Sequence, residues 1–172
     1  MTETRGATLA GSGDMLPFRA GVEAHDLHQV VGAFTPDAVL RSPITELVQF
    51  RGHEEIAMVF KVLLDSLHEI TYESELRNGN EAILRASARV GSRRLELIDH
   101  MRLNADGQIE ELTVFFRPMA SLVASALPLA AGVARTRGLV RALLIRMLVA
   151  PLIPIVNLGD RAVARLAKPV RP

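Results

Sequence analysis

The sequence contains no cysteine, no tryptophan and a single tyrosine among its 172 residues. The absence of cysteine excludes disulfides, thiolate metal ligands and cysteine nucleophiles, and it fits a reducing compartment such as the cytoplasm. Aromatic residues make up only 4% of the chain, so its 49% hydrophobic content is mostly aliphatic, with six phenylalanines. This scarcity of aromatic residues argues against binding of nucleic acid.

Motifs that would hold a cofactor or a metal are also missing from the sequence. It has no Gly-rich phosphate loop, no nucleophilic-serine elbow and no zinc motif, so we expect no cofactor. The nearest approach to a metal site is His25-Asp26-x-His28. Neighbouring positions of a helix do not share a face, and Asp26 suits a helix cap, so we expect no metal there.

Charge is distributed unevenly along the chain. Residues 119–172 hold seven arginines, one lysine and one acid, Asp160, which gives +7, and the whole chain is +1, so residues 1–118 carry −6. Residues 1–13 lack the apolar stretch of a secretory signal, and we expect a flexible lead-in there. The sequence therefore predicts a flexible start (1–13), an acidic domain (14–118) and a basic, apolar helical tail (119–172).

Hydrophobic periodicity predicts helices first and strands afterwards. Residues 16–34 have helical spacing, with Asp26 capping a second short helix. A turn at Pro36-Asp37 leads into a short strand at 38–42, and residues 53–67 form an amphipathic helix. The period then changes to two, and four strands follow at 70–76, 82–90, 93–103 and 109–118. This order predicts an α+β fold, a curved antiparallel sheet with helices on its concave side.

The strand at 93–103 carries the most informative polar residue. Its alternation places Asp99 on the same face as four large aliphatic residues, whereas His100 lies on the opposite, charged face. If the apolar face is inward, desolvation disfavours ionisation of Asp99, and a neutral acid that donates a hydrogen bond becomes plausible near pH 7. The alternative is a structural acid that pairs with an arginine or a backbone N–H group.

Several strings of residues resemble one known family. The run Ile98-Asp99-His100-Met101-Arg102, followed by Gly107 and Ile109, is similar to the end of the ketosteroid isomerase domain. The likeness covers roughly 100 residues, including Asp37-Ala38-Val39, Pro43 and Gly52-x-x-x-Ile56. The chain thus resembles the NTF2-like, SnoaL-like superfamily, and this resemblance implies a cone-shaped α+β domain built around a pocket.

The resemblance also implies which site residues are kept and which are replaced. Asp99 matches the neutral aspartic acid of the isomerase's oxyanion hole. The general-base aspartate falls on Ser42, the oxyanion tyrosine on Phe18, and two further pocket tyrosines on Phe34 and Phe60. Serine cannot abstract a carbon-bound proton, and phenylalanine has no hydroxyl, so we expect little or no steroid isomerase activity.

The predicted inward face would line an apolar pocket, the usual form of a small-molecule site. The alternative is that the same side chains simply fill a core. Glu46, in the loop after Ser42, is a candidate replacement for the missing base. With Asp99 as the catalytic candidate, the predicted ligand-binding residues are Phe18, Phe34, Ser42, Phe60, Leu95, Leu97, Met101, Leu112, Val114 and Phe116.

The tail invites two interpretations. In residues 138–150 the apolar side chains cover about half of a helical projection, with Arg141 and Arg146 at the borders. Such a helix suits the interface of a membrane, although Pro151 and Pro154 leave it too short to span a bilayer. The other interpretation is that the helix packs on the domain or on a partner subunit.

Three functional hypotheses follow from the sequence. In the first, a protein of the cytoplasm, expected to be a homodimer, binds a small lipophilic ligand through a hydrogen bond from Asp99. In the second, the same pocket catalyses an isomerase, dehydratase or cyclase reaction on an apolar carbonyl compound. In the third, the cone is a non-catalytic dimerisation module that the tail recruits to a membrane surface or a partner.

Overall fold

The computed structural model describes residues 16–43, 46–118 and 121–123, together with positions 140, 143, 147, 151, 154–156, 158–159 and 162. It confirms the α+β class, in which two helices, two strands and a third helix precede a run of four strands. The helices are α1 (Pro17–Glu23), α2 (Leu27–Gly32) and α3 (Gly52–Ser66). The strands are β1 (Phe34–Arg41), β2 (Gln49–Arg51), β3 (Leu67–Asn78), β4 (Glu81–Val90), β5 (Arg93–Leu103) and β6 (Ile109–Arg117).

The six strands form one curved, unclosed sheet in the order β2-β1-β6-β5-β4-β3. Strands β3 to β6 are a meander in which each strand pairs with the next in antiparallel orientation. The sheet is antiparallel, as predicted, except at one place, where β1 pairs with β6 in parallel. Two parallel strands need a long connection, and here that connection comprises β2, α3 and β3 to β5.

The helices cover one face of this sheet and bury it. Along β4 and β5 every second residue is buried, as the period of two predicts for a sheet with one solvated face. Beneath the helices, Phe18, Phe34 and Phe60 pack mutually, with ring centroids 5.5–5.9 Å apart. Two of the three contacts are edge-to-face, which is a favourable geometry for aromatic pairs. The core is therefore continuous from α1 to the sheet.

The beginning of the sheet differs from the prediction. The turn predicted at Pro36-Asp37 lies inside β1, which begins at Phe34 and shifts its register against β6 before Val39. Proline is tolerated at such an irregularity because it has no N–H to give to the ladder. Strand β2, only three residues long, was not predicted. The predicted cap is confirmed, since Asp26 Oδ1 accepts the N–H of Gln29 at 3.0 Å.

The predicted start (1–13) lies outside the described residues, as does most of the predicted tail. The chain after β6 turns back toward β5, where the buried Ser121 donates a hydrogen bond to the carbonyl of Arg94 at 2.8 Å. Further along, the described positions 140, 143 and 147 are helical. In the part of the chain that the structure describes, no helix is long and apolar enough to cross a membrane.

A close contact between α1 and α2 yields a prediction for stability. A Cβ atom added to Gly21 would lie 2.8 Å from the backbone nitrogen of Val30, whereas one added to Gly32 would meet nothing within 4 Å. We expect Gly21→Ala to lower the free energy of unfolding by about 1–3 kcal/mol, because the helices must separate. Gly32→Ala is the matched control and should be neutral or slightly stabilising. Urea denaturation measures both, and equal effects would contradict the close-contact explanation.

Candidate functional site

Asp99 lies in the middle of β5, on the buried face of the sheet. Its side chain is 3% exposed, and its cross-strand neighbours are Leu84 of β4 and Val114 of β6. Alternation along the strand correctly predicts that Asp99 is buried and that His100 points the other way. On that outer face, His100 Nε2 lies 3.9 Å from a carboxyl oxygen of Glu81. The two residues therefore belong to separate environments and cannot act as a dyad.

The hydrogen-bond partner of Asp99 is the only tyrosine of the chain. Tyr72, on β3, donates its hydroxyl hydrogen to Asp99 Oδ2 at 2.8 Å, and its side chain is 5% exposed. This partner is neither of those considered from the sequence, an arginine or a backbone N–H. Sequence analysis missed Tyr72 as a site residue. One signal could have indicated it, because a lone tyrosine on the apolar face of its strand needs a partner for its hydroxyl.

A small cavity adjoins this pair of residues. Its volume is about 20 Å³, which is room for a molecule the size of water. Asp99 and the hydroxyl-bearing Tyr72 are its polar lining residues, and the others are apolar. Helix α1 contributes Val22, helix α3 contributes Phe60 and Leu63, and the strands contribute Leu67, Ile70, Leu97, Val114 and Phe116.

Burial governs the proton affinities of both polar groups. Desolvation raises the pKa of Asp99 from 3.8 to about 7, although the hydrogen bond from Tyr72 acts in the opposite direction. Desolvation also raises the pKa of Tyr72 well above 10, and the charge of Asp99 adds to this effect. The phenol therefore keeps its proton, while the carboxyl group exchanges a proton near neutral pH. Such a group can donate or accept a proton in the range where most enzymes work.

The structure divides the predicted ligand-binding residues into two groups. Phe60, Leu97, Val114 and Phe116 line the cavity together with Asp99. The other apolar members lie in the buried core but do not line this cavity: Phe18, Phe34, Leu95, Met101 and Leu112.

The polar positions predicted around the site lie elsewhere. Ser42 follows the end of β1, and Glu46 is exposed in the turn before β2. Neither of them lines the cavity. The structure thus brings no second carboxylate to Asp99 among the residues it describes.

Metal ligation has no structural support in the described part of the chain. No group of three or more histidine, cysteine, aspartate or glutamate side chains converges there. His25 and His28 are both exposed, and Asp26 between them is engaged as the cap of α2.

Comparison with known proteins agrees with the fold. Residues 17–112 match the family model of the SnoaL-like domain. A steroid delta-isomerase from Pseudomonas aeruginosa is 30% identical, with a TM-score of 0.62, and the match covers 68% of this chain and 86% of that enzyme. This chain therefore belongs to the SnoaL-like family, within the NTF2-like superfamily.

Other solved structures share the fold at lower identity. A bacterial protein with a cystatin-like fold from Silicibacter pomeroyi DSS-3 is 21% identical over 76% of this chain and 90% of its own, with a TM-score of 0.64. The epoxide hydrolase/cyclase-like enzyme SalBIII is 17% identical over 60% of this chain and 87% of its own, with a TM-score of 0.51. Among curated proteins, none matches this chain significantly.

The raised pKa of Asp99 predicts how stability depends on pH. Between pH 4 and pH 7 the unfolded chain has lost the proton of Asp99, whereas the folded protein retains it. The folded state then binds more protons, so its stability falls as the pH rises through this window. Asp99→Asn removes the titration, and we expect a flatter profile by urea denaturation at several pH values. Parallel profiles for the two proteins would contradict the raised pKa.

Proposed function

We propose that this protein binds a small lipophilic molecule through a carbonyl or hydroxyl oxygen, with protonated Asp99 donating the hydrogen bond. The observation that carries this proposal is a buried carboxyl group, paired with one phenol, on the wall of an otherwise apolar cavity. A buried polar group without a competing solvent shell discriminates strongly between ligands that can and cannot satisfy it. The apolar lining would favour apolar ligands, and Asp99 would favour those ligands that carry a carbonyl or hydroxyl oxygen.

The hydrogen bond from Tyr72 supports this role for Asp99. Because the phenol donates to Oδ2, the neutral carboxyl group can carry its own proton on Oδ1. That proton would be the donor to a ligand oxygen. Asp99 and its hydroxyl-bearing partner would then form a short chain of hydrogen bonds, in which each bond polarises the next.

A ligand larger than water requires the cavity to widen. Leu63 and Phe116 are the half-buried members of its lining, whereas the remaining apolar residues around Asp99 are more deeply buried. Outward rotation of these two side chains is the smallest rearrangement that would admit a ring. The proposal therefore predicts that trimming Leu63 admits ligands more readily.

Binding of a matched pair of ligands tests the role of Asp99. The compounds 2-acetylnaphthalene and 2-ethylnaphthalene have similar shapes, but only the first has a carbonyl oxygen. At pH 6 we expect the ketone to bind about tenfold more tightly, the ratio that about 1.4 kcal/mol of hydrogen bonding provides. The preference should disappear in Asp99→Leu and weaken above pH 8, where the carboxyl group is ionised. Titration calorimetry measures the affinities.

The controls for this experiment distinguish the rival hypotheses. Leu63→Ala should tighten the binding of both compounds, because it enlarges the cavity without touching Asp99. Equal affinities for the two compounds would refute hydrogen bonding by Asp99. Absence of binding by wild type and Leu63→Ala alike would refute the pocket and favour the dimerisation module.

A catalytic role is the alternative use of the same pocket. The relative from Pseudomonas aeruginosa is a steroid delta-isomerase. By the resemblance noted in the sequence, Ser42 falls where the isomerase domain has its general base, and Ser42 does not line the cavity. We therefore propose that migration of the double bond of a 5-ene-3-ketosteroid is feeble or absent. Efficient migration in an absorbance assay would favour the catalytic hypothesis, with Asp99 itself as the proton carrier.

Exposed apolar side chains favour a second function, contact of the tail with a membrane. Val140, Leu143 and Met147 are at helical spacing and are 72%, 60% and 68% exposed. On a helical projection these three positions share one side, and residues 119–172 carry a net charge of +7. We propose that this side enters the interface of an anionic membrane, while the basic residues contact phosphates.

Sedimentation with liposomes tests the membrane proposal on the full chain. We expect binding to vesicles containing phosphatidylserine, weak binding to neutral vesicles, and a steep loss of affinity with added salt. The double variant Leu143→Glu/Met147→Glu should bind about tenfold more weakly or worse, because two apolar side chains no longer leave water. Phe115→Glu, at a 54% exposed site on the sheet, is the matched control. Equal sedimentation of all three proteins would contradict the proposal.

A further inference from the structure

We infer that Arg19 and Glu23 of α1 are positioning residues, which hold Tyr72 in the place where its hydroxyl meets Asp99. This inference rests on the proposed function, in which the carboxyl group of Asp99 is the working group. It assigns a role to two charged residues that do not line the cavity.

Strand β3 lies at an edge of the sheet and pairs only with β4. An edge strand presents backbone N–H and C=O groups that have no neighbouring strand. At Tyr72 both groups are taken by side chains of α1. Glu23 Oε1 accepts the N–H of Tyr72 at 3.0 Å, and the guanidinium of Arg19 donates to the carbonyl of Tyr72 at 3.1 Å.

The two side chains act as one unit. Arg19 and Glu23 are four residues apart on the helix, and Arg19 Nε lies 3.4 Å from the same Glu23 oxygen that accepts the N–H of Tyr72. The guanidinium carbon of Arg19 is also 5.8 Å from the centroid of the tyrosine ring. Both side chains are mostly buried, at 25% and 29% exposure, so solvent competes weakly for these contacts. Backbone and ring of Tyr72 are thus held from the same helix.

The strand itself fixes Tyr72 less firmly than a regular strand would. Its register against β4 shifts between His68 and Thr71, and again between Tyr72 and Ser74. Glu69, within the first irregularity, has a positive φ of 53°. Irregularities of this kind re-aim side chains and interrupt the ladder. Only a short stretch around Tyr72 therefore pairs regularly with β4. The contacts from α1 supply the further constraint that holds Tyr72 in position.

The consequence is a physical link from the surface of α1 to the proton of Asp99. The hydrogen bond from Tyr72 favours the ionised form of Asp99 and lowers its pKa against the effect of burial. If the tyrosine moves away, that hydrogen bond lengthens, and only burial then determines the pKa of Asp99. Loss of the contacts from α1 should therefore raise the pKa of Asp99 through Tyr72.

Substitution of Glu23 tests this inference, with the pKa of Asp99 measured by carbon NMR of its carboxyl group. Glu23→Ala removes the acceptor, and we expect the pKa of Asp99 to rise by about half a unit or more. Removal of a negative charge alone has the opposite sign, because it would lower the pKa of a nearby acid. Glu23→Gln retains a carbonyl acceptor and should restore most of the wild-type value.

The same substitution in a Tyr72→Phe protein shows whether Glu23 affects the pKa of Asp99 through Tyr72. Tyr72→Phe alone should raise the pKa of Asp99, and adding Glu23→Ala to it should cause no further rise. Glu111→Ala breaks the ion pair with Arg41, at 2.6 Å on the far side of the sheet, and serves as the control that leaves Asp99 unchanged. An unchanged pKa in Glu23→Ala, or an equal rise in both backgrounds, would overturn the inference. No ligand takes part, so failure here is distinct from failure of the ligand-binding experiment.

Discussion

The structure depends on the burial of one face of a sheet against three short helices. Strands β4 and β5 alternate so regularly that any residue on their inner face leaves water, whatever its polarity. Asp99 occupies such a position, and it is buried because the neighbouring residues of its strand face pack in the core. Burial of an ionised carboxylate is unfavourable, so the pKa of Asp99 is raised. A hydrogen bond from the phenol of Tyr72 satisfies one of its oxygens. The chemical character of the site is thus a product of the packing.

Three phenylalanines make the part of the core between α1, α3 and the start of β1 apolar. Phe18, Phe34 and Phe60 form a closed aromatic cluster, so their edges contact one another and require no hydrogen bonds. In the isomerase that the sequence resembles, tyrosines fall at these positions. Here the phenol that contacts Asp99 comes from β3. In the sheet, β3 and β1 lie on opposite sides of β5. The polar partner of Asp99 in this protein therefore lies on β3, outside the aromatic cluster.

The sequence predicts those features that depend on local periodicity. Alternation placed Asp99 on the inner face, and the spacing of apolar residues located α3 within a residue at each end. It could not predict the pairing of Asp99 with Tyr72, because β3 and β5 are separated by β4 and the reach of the phenol depends on irregularities in β3. The bulge around Pro36 was read as a turn for a related reason. Proline disfavours regular pairing, and only the tertiary structure shows that the strand continues through it.

The parallel pairing of β1 with β6 has a consequence for how the chain folds. Strands β3 to β6 are joined by short turns, so their contacts are local and close small loops. Leu40 pairs with Leu112 across most of the domain, and the entropy of closing so long a loop must be met before that contact is gained. Domains rich in such distant contacts fold slowly. We therefore expect the meander to form early and the first strand with its helices to join last, which would complete the enclosure around Asp99.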